Sequence, residues 1–243
     1  MKRFLKRVHF YASAISLMFF FILLYPWLYY YSRKPERYDR LNRVRRIFGF
    51  LSSAAVGIFY KYRYEKQIDW SQCYIVCPNH TSNLDITGMA CLIPGNYAFL
   101  GKDTLLKNPV TAIFFKTIDI PFNRDSKISS FRAFKRAGEY LQQGISLVIF
   151  PEGKIPEHFP PSLDPFKNGP FRLAIELNIP ILPVTITDAW KKVWDDGKTY
   201  GSRPGICDIC VHKPIFTTGL TVDDADALRD RVHNIIDTEF KKK

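Results

Sequence analysis

The stretch SLVIF (residues 146–150) decides the fold of this chain, because it is a short, continuous apolar run that a turn-forming PEG sequence ends. Runs of this length and composition are typical of strands buried on both faces of a parallel sheet. Similar runs lie on both sides of it, at residues 72–77, 96–100, 118–122, 181–186 and 206–212. Helical patterns alternate with them, at residues 84–92, 105–116, 128–143, 169–178 and 224–241. This alternation predicts an α/β fold with crossover helices on a central sheet.

The pattern at residues 128–143 predicts a helix that covers this sheet. Apolar residues recur there every three or four positions, as on one face of an amphipathic helix. They are Ile128, Phe131, Phe134, Ala137 and Leu141. Charged residues take the other face, so the apolar residues are expected to face the sheet.

The N-terminal segment carries most of the charge and a membrane signal. The 243-residue chain has a net charge of +12, and residues 1–46, with eleven Lys or Arg and two acidic residues, supply +9 of it. Residues 10–31 contain no charged residue and end in a Tyr- and Trp-rich stretch that suits a membrane interface. At ~1.5 Å per residue they reach roughly the ~30 Å of a bilayer core. They predict a membrane helix, either spanning or embedded in one leaflet; a cleaved secretory signal is disfavoured because no small-residue cleavage site follows.

A second apolar stretch, residues 48–60, is too short to span a bilayer. We expect it to be interfacial, re-entrant or docked. The chain is therefore divided into N-terminal membrane-embedding helices (1–64) and an α/β domain (65–243).

The rest of the chain argues against two other classes of protein. Residues 47–243 have a net charge of only +3 and no basic, aromatic-studded stretch, which disfavours nucleic-acid binding. The five cysteines form no regular framework, and the pair Cys207 and Cys210 lies in a strand-like run without a matching second pair. Buried free thiols are the expected state, and no residue cluster requires a metal.

Three polar clusters follow predicted strands: NHTSNLD (79–85), NRD (123–125) and PEGK (151–154). In open α/β sheets, ligand-binding residues collect where strands end at the carboxyl edge. We therefore expect the three clusters, distant in sequence, to share one edge.

The NHTSNLD cluster has two interpretations. Ser82 and Asp85 have the spacing of a capping box, in which the serine caps a helix and the carboxylate binds the cap's own amide. With the same geometry, Asp85 could orient His80 and leave one ring nitrogen as a base. The sequence has no convincing Gly-x-Ser-x-Gly nucleophile elbow, and no cysteine stands beside a second histidine. A base that activates a substrate hydroxyl is therefore favoured over a covalent enzyme intermediate.

The other two clusters offer groups that suit a phosphate. Arg124 could bind one in bidentate fashion, or could simply pair with Asp125 at the surface. Glu152, Gly153 and Lys154 indicate a tight turn that presents a carboxylate, backbone amides and a cation.

Taken together and in order, four motifs resemble those of the glycerolipid acyltransferase family. They are His80-x-x-x-x-Asp85, FNR (122–124), FPEG (150–153) and IPILPV (179–184). The resemblance implies a mixed, mostly parallel central sheet flanked by helices. It also implies an N-terminal two-helix membrane element, as in bacterial members.

The resemblance implies a role for each matching residue. His80 would be the general base on the acceptor hydroxyl, with Asp85 orienting it. The glycerol phosphate would be positioned by Asn123, Arg124, Glu152, Gly153 and, as a point charge, Lys154. The acyl-donor side would be shaped by residues 179–184, among them Ile179, Pro180 and Pro183. Neither a metal nor a cofactor is implied beyond the acyl thioester that serves as co-substrate.

The implied activity is acyl transfer from acyl-CoA or acyl carrier protein to the sn-2 hydroxyl of 1-acyl-glycerol-3-phosphate, giving phosphatidic acid. The implied place is the cytoplasmic face of the inner (cell) membrane, with an anionic leaflet as partner. The family's third motif usually continues with Thr and Arg, where this chain has Lys154 and Ile155. Acylation of another lysophospholipid or of a lyso-aminolipid is therefore an alternative. A non-catalytic, membrane-anchored lipid-binding protein is the alternative from a different class.

Overall fold

The computed structural model describes residues 2–123 and 125–242 as seven strands and seven α-helices, with short 3₁₀ turns. The strands are β1 (Ile58–Tyr64), β2 (Ile75–Pro78), β3 (Tyr97–Lys102), β4 (Ile120–Phe122), β5 (Ser146–Ile149), β6 (Ile181–Ile186) and β7 (Gly205–Val211). The helices are α1 (Lys2–Ser32), α2 (Tyr38–Ala54), α3 (Leu84–Leu92), α4 (Pro109–Phe115), α5 (Lys127–Gln142), α6 (Gly169–Glu176) and α7 (Ala225–Phe240). The predicted α/β fold is confirmed.

The strands join one sheet in the order β1-β7-β6-β2-β5-β3-β4. Strands β6, β2, β5, β3 and β4 pair in parallel, whereas β7 pairs antiparallel with β6, and β1 runs parallel with β7. The expected mixed, mostly parallel sheet is therefore confirmed. We call the edge formed by the carboxyl ends of β2–β6 the carboxyl edge, and the opposite one the amino edge.

The central strands are apolar throughout because helices cover both faces of the sheet. Every residue of β2, β5 and β6 is buried. In β5, Leu147 and Ile149 pack in a cluster with residues of α5, α6 and α7, whereas Val148 packs in a second cluster with residues of α3. Alternate residues of a strand point to opposite faces, so the continuous apolar run SLVI packs against helices on both faces of the sheet.

Strand β1 was not predicted from the sequence. The second apolar stretch (48–60) divides between the end of α2 and the start of β1, which pairs with β7 along its whole length. As the edge strand, β1 has a largely exposed burial pattern, and its partner lies almost 150 residues away in the sequence. Neither feature leaves a local signal. The division at residue 64 stays a prediction, although residues 58–64 form strand rather than helix.

The single helix predicted at residues 105–116 is divided into a 3₁₀ turn (Asp103–Lys107) and α4. Pro109 explains the break, because proline favours the first turn of a helix and disfavours its interior. The Asn108 side chain caps the new helix by accepting from the amides of Val110 and Thr111.

Helix α1 lies along the domain and is attached to it at both ends. Near its amino end, the His9 ring bonds the Ser202 hydroxyl (2.6 Å) and the Val56 carbonyl (2.9 Å). In its second half, Phe21 and Leu28 enter the core cluster. Its outward face exposes large apolar side chains, including Phe4, Leu5, Val8, Tyr11, Ile15, Met18, Phe19 and Ile22. Within the described chain it is the one helix long and apolar enough to cross a membrane.

The two-helix membrane element is not confirmed. Helix α2 carries five charged residues at positions 39, 40, 43, 45 and 46, and it packs against both α1 and α3. The guanidinium of Arg45 points into the protein and meets the Asp119 carboxylate at 2.5 Å, with both side chains buried. Asp119 also accepts from the Phe99 amide of β3, so this ion pair joins α2 to the sheet.

Candidate active site

The three polar clusters all leave the sheet at the carboxyl edge. The NHTSNLD segment follows β2, Asn123 follows β4, and residues 151–154 follow β5. These three strands run parallel within the sheet. The expectation of a shared edge is confirmed, except that Arg124 lies outside the described residues.

Asn79 fixes the start of the NHTSNLD segment. Its buried side chain accepts from the Ile186 amide (2.7 Å) and donates to the Ile186 carbonyl (3.0 Å). It thereby extends the pairing of β2 and β6 by one side chain, and it places His80 directly above the centre of the sheet.

Asp85 is buried at the start of α3 and gathers three N–H donors on one oxygen. Its Oδ2 accepts from His80 Nδ1 (3.1 Å), the Thr81 amide (2.6 Å) and the Ser82 amide (2.8 Å). The Ser82 hydroxyl accepts from the Leu84 amide (3.1 Å). Half of the predicted capping box is therefore present. The Asp85 carboxylate binds the Ser82 amide as predicted, but the Ser82 hydroxyl binds the amide of Leu84 instead of that of Asp85.

The two interpretations of the segment are compatible in the structure. An ionised carboxylate only accepts hydrogen bonds, so Nδ1 of His80 carries the proton and Nε2 is the basic nitrogen. No described group forms a hydrogen bond with Nε2. The His80 ring stacks on Phe150 (centroids 4.1 Å apart, planes at 23°), and its side chain is 15% exposed. Burial raises the pKa of Asp85, and its three N–H donors oppose that effect.

Glu152 supports His80 from the neighbouring strand end. Its Oε1 accepts from the His80 amide (2.7 Å), and its Oε2 accepts from the Asp164 amide (3.1 Å). Only 3% of the residue is exposed, and each carboxyl oxygen faces a backbone amide. In this structure Glu152 holds two loops together beside the base, and its role in positioning the glycerol phosphate stays a prediction.

Burial raises the pKa of Glu152 to about 8, from an ordinary value of 4.5. The folded state thus holds this proton more tightly than the unfolded chain, so the stabilisation is complete below pH 4.5 and is lost as the pH rises through about 8. We predict that the protonation of Glu152 contributes less to the free energy of unfolding as the pH rises from 4.5 to about 8, by at most ~1.4 kcal/mol per pH unit. The melting temperature in mild detergent should therefore fall over this pH range.

The reference for this experiment is Glu152→Gln, which cannot titrate. The difference in melting temperature between the parent and this variant should change steadily with pH. An unchanged difference from pH 4.5 to 8 would show that Glu152 does not take up a proton on folding.

The remaining acceptor-side residues form the surface of this edge. Gly153 adopts a positive φ of 80°, which glycine tolerates, and its amide closes a turn onto the Phe150 carbonyl (3.0 Å). Lys154 is exposed and pairs with the exposed Glu157 (3.2 Å). The Asn123 side chain accepts from the Asp125 amide (2.9 Å). Neither the phosphate role of Arg124 nor its alternative pairing with Asp125 can be placed, because Arg124 is outside the described residues.

The residues predicted to shape the acyl-donor side lie away from His80 along the sheet, and that role stays a prediction. Ile179 and Pro180 precede β6, and the Pro180 carbonyl accepts from the Ile75 amide at the start of β2. They therefore lie at the amino edge, roughly 20 Å along the strand from Ile186 at ~3.3 Å per residue. Pro183 is buried within β6, opposite Cys77. Because β2 and β6 are parallel, the carboxyl-edge neighbours of His80 come after residue 186.

The structure brings further residues to this edge that the sequence did not indicate. The turn at residues 81–83 pairs with Asp195, whose carbonyl accepts from the Asn83 amide (3.0 Å). Beside it, four aromatic side chains pack together from two loops: Phe159, Trp190, Trp194 and Tyr200. Such contacts join segments 30 to 110 residues apart, so local pattern carries no signal for them.

One group of potential metal ligands lies elsewhere. Glu65, Cys210 and His212 place their ligand atoms within 4.8 Å of one another near the end of β7, where Cys210 lies opposite Thr185 of β6. Glu65 and His212 already satisfy each other through a 2.9 Å hydrogen bond. The carboxyl-edge site contributes no member to this group. All five cysteines are free, and Cys77, Cys207 and Cys210 are buried.

A family model described as acyltransferase matches residues 60–187, just over half of the chain. The chain therefore belongs to the acyltransferase family. The matched region includes β2 to β6 and both residues of the His80–Asp85 pair.

Individual proteins of known name are also similar to this chain. The human 1-acyl-sn-glycerol-3-phosphate acyltransferase alpha is 32% identical over 71% of this chain and 60% of its own length. A putative 1-acyl-sn-glycerol-3-phosphate acyltransferase of Caenorhabditis elegans is 32% identical over 74% of this chain and 64% of its own. The chain thus spans about 60% of the length of these curated relatives. The crystal structure of the 1-acyl-sn-glycerophosphate acyltransferase of Thermotoga maritima covers all of this chain with a TM-score of 0.76 at 20% identity, a likeness of fold.

Proposed function

We propose that this protein transfers an acyl group from an acyl thioester to the sn-2 hydroxyl of 1-acyl-glycerol-3-phosphate, giving phosphatidic acid. The observation that carries the proposal is the His80–Asp85 pair at the carboxyl edge, with Nδ1 held by the carboxylate and Nε2 left as a base. The names of the relatives indicate the acceptor, and the exposed cation of Lys154 suits its phosphate.

The chemistry follows from that geometry. Nε2 of His80 takes the proton of the acceptor hydroxyl as its oxygen attacks the thioester carbon. The resulting tetrahedral oxyanion collapses, the carbon–sulfur bond breaks, and the departing thiolate takes the proton back from Nε2. Asp85 stabilises the imidazolium that forms between these steps and keeps the ring in one orientation. No covalent bond to the protein forms, so no protein nucleophile is needed.

The N-terminal helix suggests that the reaction takes place at a membrane surface. Because α1 is attached to the domain near both ends while its outer face is apolar, we propose that it lies in one leaflet rather than crossing the bilayer. The proposed leaflet is the cytoplasmic one of the cell membrane, where anionic lipids would attract the basic N-terminal segment. The lipid acceptor would arrive from the leaflet, and acyl-CoA or acyl carrier protein from the aqueous side.

The decisive assay offers the purified full chain a panel of lysolipids with acyl-CoA and, separately, acyl carrier protein. We expect acylation of 1-acyl-glycerol-3-phosphate well above that of lysophospholipids with larger head groups. Acylation of a lyso-aminolipid alone would overturn the phosphate role assigned to Arg124 and Lys154. Binding of lysolipid without any acyl transfer, by either donor, would favour the non-catalytic alternative.

A further inference from the structure

Helix α5 presents two large apolar side chains to solvent instead of to the sheet. Ile128 is 66% exposed and Phe131 is 71% exposed. The prediction that they cover the sheet is wrong, because the buried positions of α5 are Ala133, Ala137 and Leu141. The helix needs small residues where it crosses the sheet closely, and its first turns extend beyond that contact.

The exposed side of α5 combines these apolar residues with basic ones. At about 100° per residue, positions 127, 128, 131, 132 and 135 fall within one arc of roughly 140°. We call this arc the α5 surface; its residues are Lys127, Ile128, Phe131, Arg132 and Lys135. The buried residues lie on the opposite side of the helix. Large apolar side chains flanked by Lys and Arg are the signature of a helix that lies on an anionic membrane.

The position of the α5 surface relates it to the active site. Ser126 caps α5 directly after the Asn123 loop, accepting from the Ser129 amide (3.2 Å), so Phe131 lies little more than one turn beyond the acceptor-side loop. Toward the other end of the strand order, the amino end of α1 reaches the same edge through the bond between His9 and Ser202, just before β7. In the strand order, β2 and β5, which carry His80 and Glu152, lie between β7 and β4.

We propose that the α5 surface is a second membrane contact, which docks on an anionic leaflet and, together with the amino end of α1, directs the carboxyl edge to the lipid. This inference rests on the proposed function, since a lysolipid acceptor must enter from the leaflet. The amino end of α1 exposes Phe4, Leu5 and Val8, so a second exposed apolar surface lies toward the other end of this edge. Two contacts on either side of the site fix the tilt of the domain on the bilayer.

A carrier protein is the competing occupant, because an acidic partner would also meet the basic residues. The membrane is favoured because Ile128 and Phe131 project as separate side chains, more than three-fifths exposed. Inserted into the acyl boundary of a leaflet, each loses its contact with water, whereas a charge-driven protein contact would use mainly the three cations.

Depth-dependent quenching tests the contact without relying on activity. Phe131→Trp and the control Phe216→Trp are each compared with the parent in vesicles containing brominated acyl chains and an anionic phospholipid. Phe216 is 61% exposed and follows Ile215, which pairs with Ile181 at the amino edge. We expect the added tryptophan at 131 to be quenched severalfold more than that at 216, and less when the anionic lipid is replaced by a zwitterionic one. Equal quenching at the two positions would overturn the proposal, even for an active enzyme.

A second measurement connects the surface with turnover. The double variant Ile128→Ser and Phe131→Ser should acylate acceptor in vesicles roughly tenfold more slowly, since two large apolar contacts with lipid are lost. A short-chain acceptor in free solution should be acylated at the parent rate, and Phe216→Ser should behave as the parent with both. The double variant could instead lose the same share of its rate with both acceptors, and only when acyl carrier protein is the donor. That result would overturn the membrane contact in favour of carrier-protein docking.

Discussion

Replacing His80 with alanine should lower kcat for acyl transfer by ~10²–10⁴-fold, the usual contribution of a general base. The side chain carries the only nitrogen that the described site offers as a base, because Nδ1 is engaged by Asp85 at 3.1 Å. The affinity for the acceptor should change little, because the ring removes a proton rather than holding the head group. Steady-state kinetics with 1-acyl-glycerol-3-phosphate would measure both quantities.

The matched control is His158→Ala. His158 lies in the loop that also supplies Asp164, but it is exposed, and its Nε2 bonds Ser162 within the same loop (2.8 Å). Activity should stay within about twofold of the parent, as for most substitutions of exposed side chains. An His80→Ala protein that melts like the parent and retains full activity would remove His80 from the mechanism.

Replacing Arg45 with methionine should produce the largest loss of stability, about 3–5 kcal/mol in the free energy of unfolding. Methionine preserves much of the volume against Phe114, whose ring lies 3.9 Å from the guanidinium carbon, but it leaves the Asp119 carboxylate buried without its partner. Denaturant titration in mild detergent would measure the loss. Adding Asp119→Asn to Arg45→Met should restore part of the stability, because the amide oxygen can still accept from Phe99 without an uncompensated charge.

Arg43→Met provides the comparison on the same helix. Arg43 is mostly exposed, and its pair with Asp39 is 3.7 Å long, so its loss should cost less than about 1 kcal/mol. If Arg45→Met and Arg43→Met were equally mild, the buried pair would not be what joins α2 to the sheet. An Asp119→Asn change that worsened Arg45→Met would lead to the same conclusion.

The central part of the fold was predictable because its signals are local. The apolar runs that became β2, β5 and β6 are continuous, since both faces of these strands are covered. The strand that was missed, β1, lies at an edge of the sheet. β1 reads as part of an apolar N-terminal segment, and only its pairing with β7, far along the chain, makes it a strand.

The candidate site was predictable to the same extent. His80 and Asp85 are five positions apart across a strand-to-helix turn, so the chain alone brings them within bonding distance. Glu152 could be identified from its unusual context, but its role could not, because whether a carboxyl meets solvent or two backbone amides depends on the neighbouring loops. The position of Ile179 and Pro180 at the amino edge could not be predicted, because a motif's order in the sequence does not give the end of the strand at which it lies.

The sequence by itself determined the alternation of strands and helices, the apolar character of the first helix and the pairing of His80 with Asp85. Each of these depends on residues within a few turns of one another, where the geometry of the backbone leaves little choice. The tertiary structure alone decided that Phe150 and Glu152 contact His80 and that Ile128 and Phe131 face outward. These outcomes depend on the order of strands in the sheet and on how closely each helix approaches it, and both are set by contacts between distant segments.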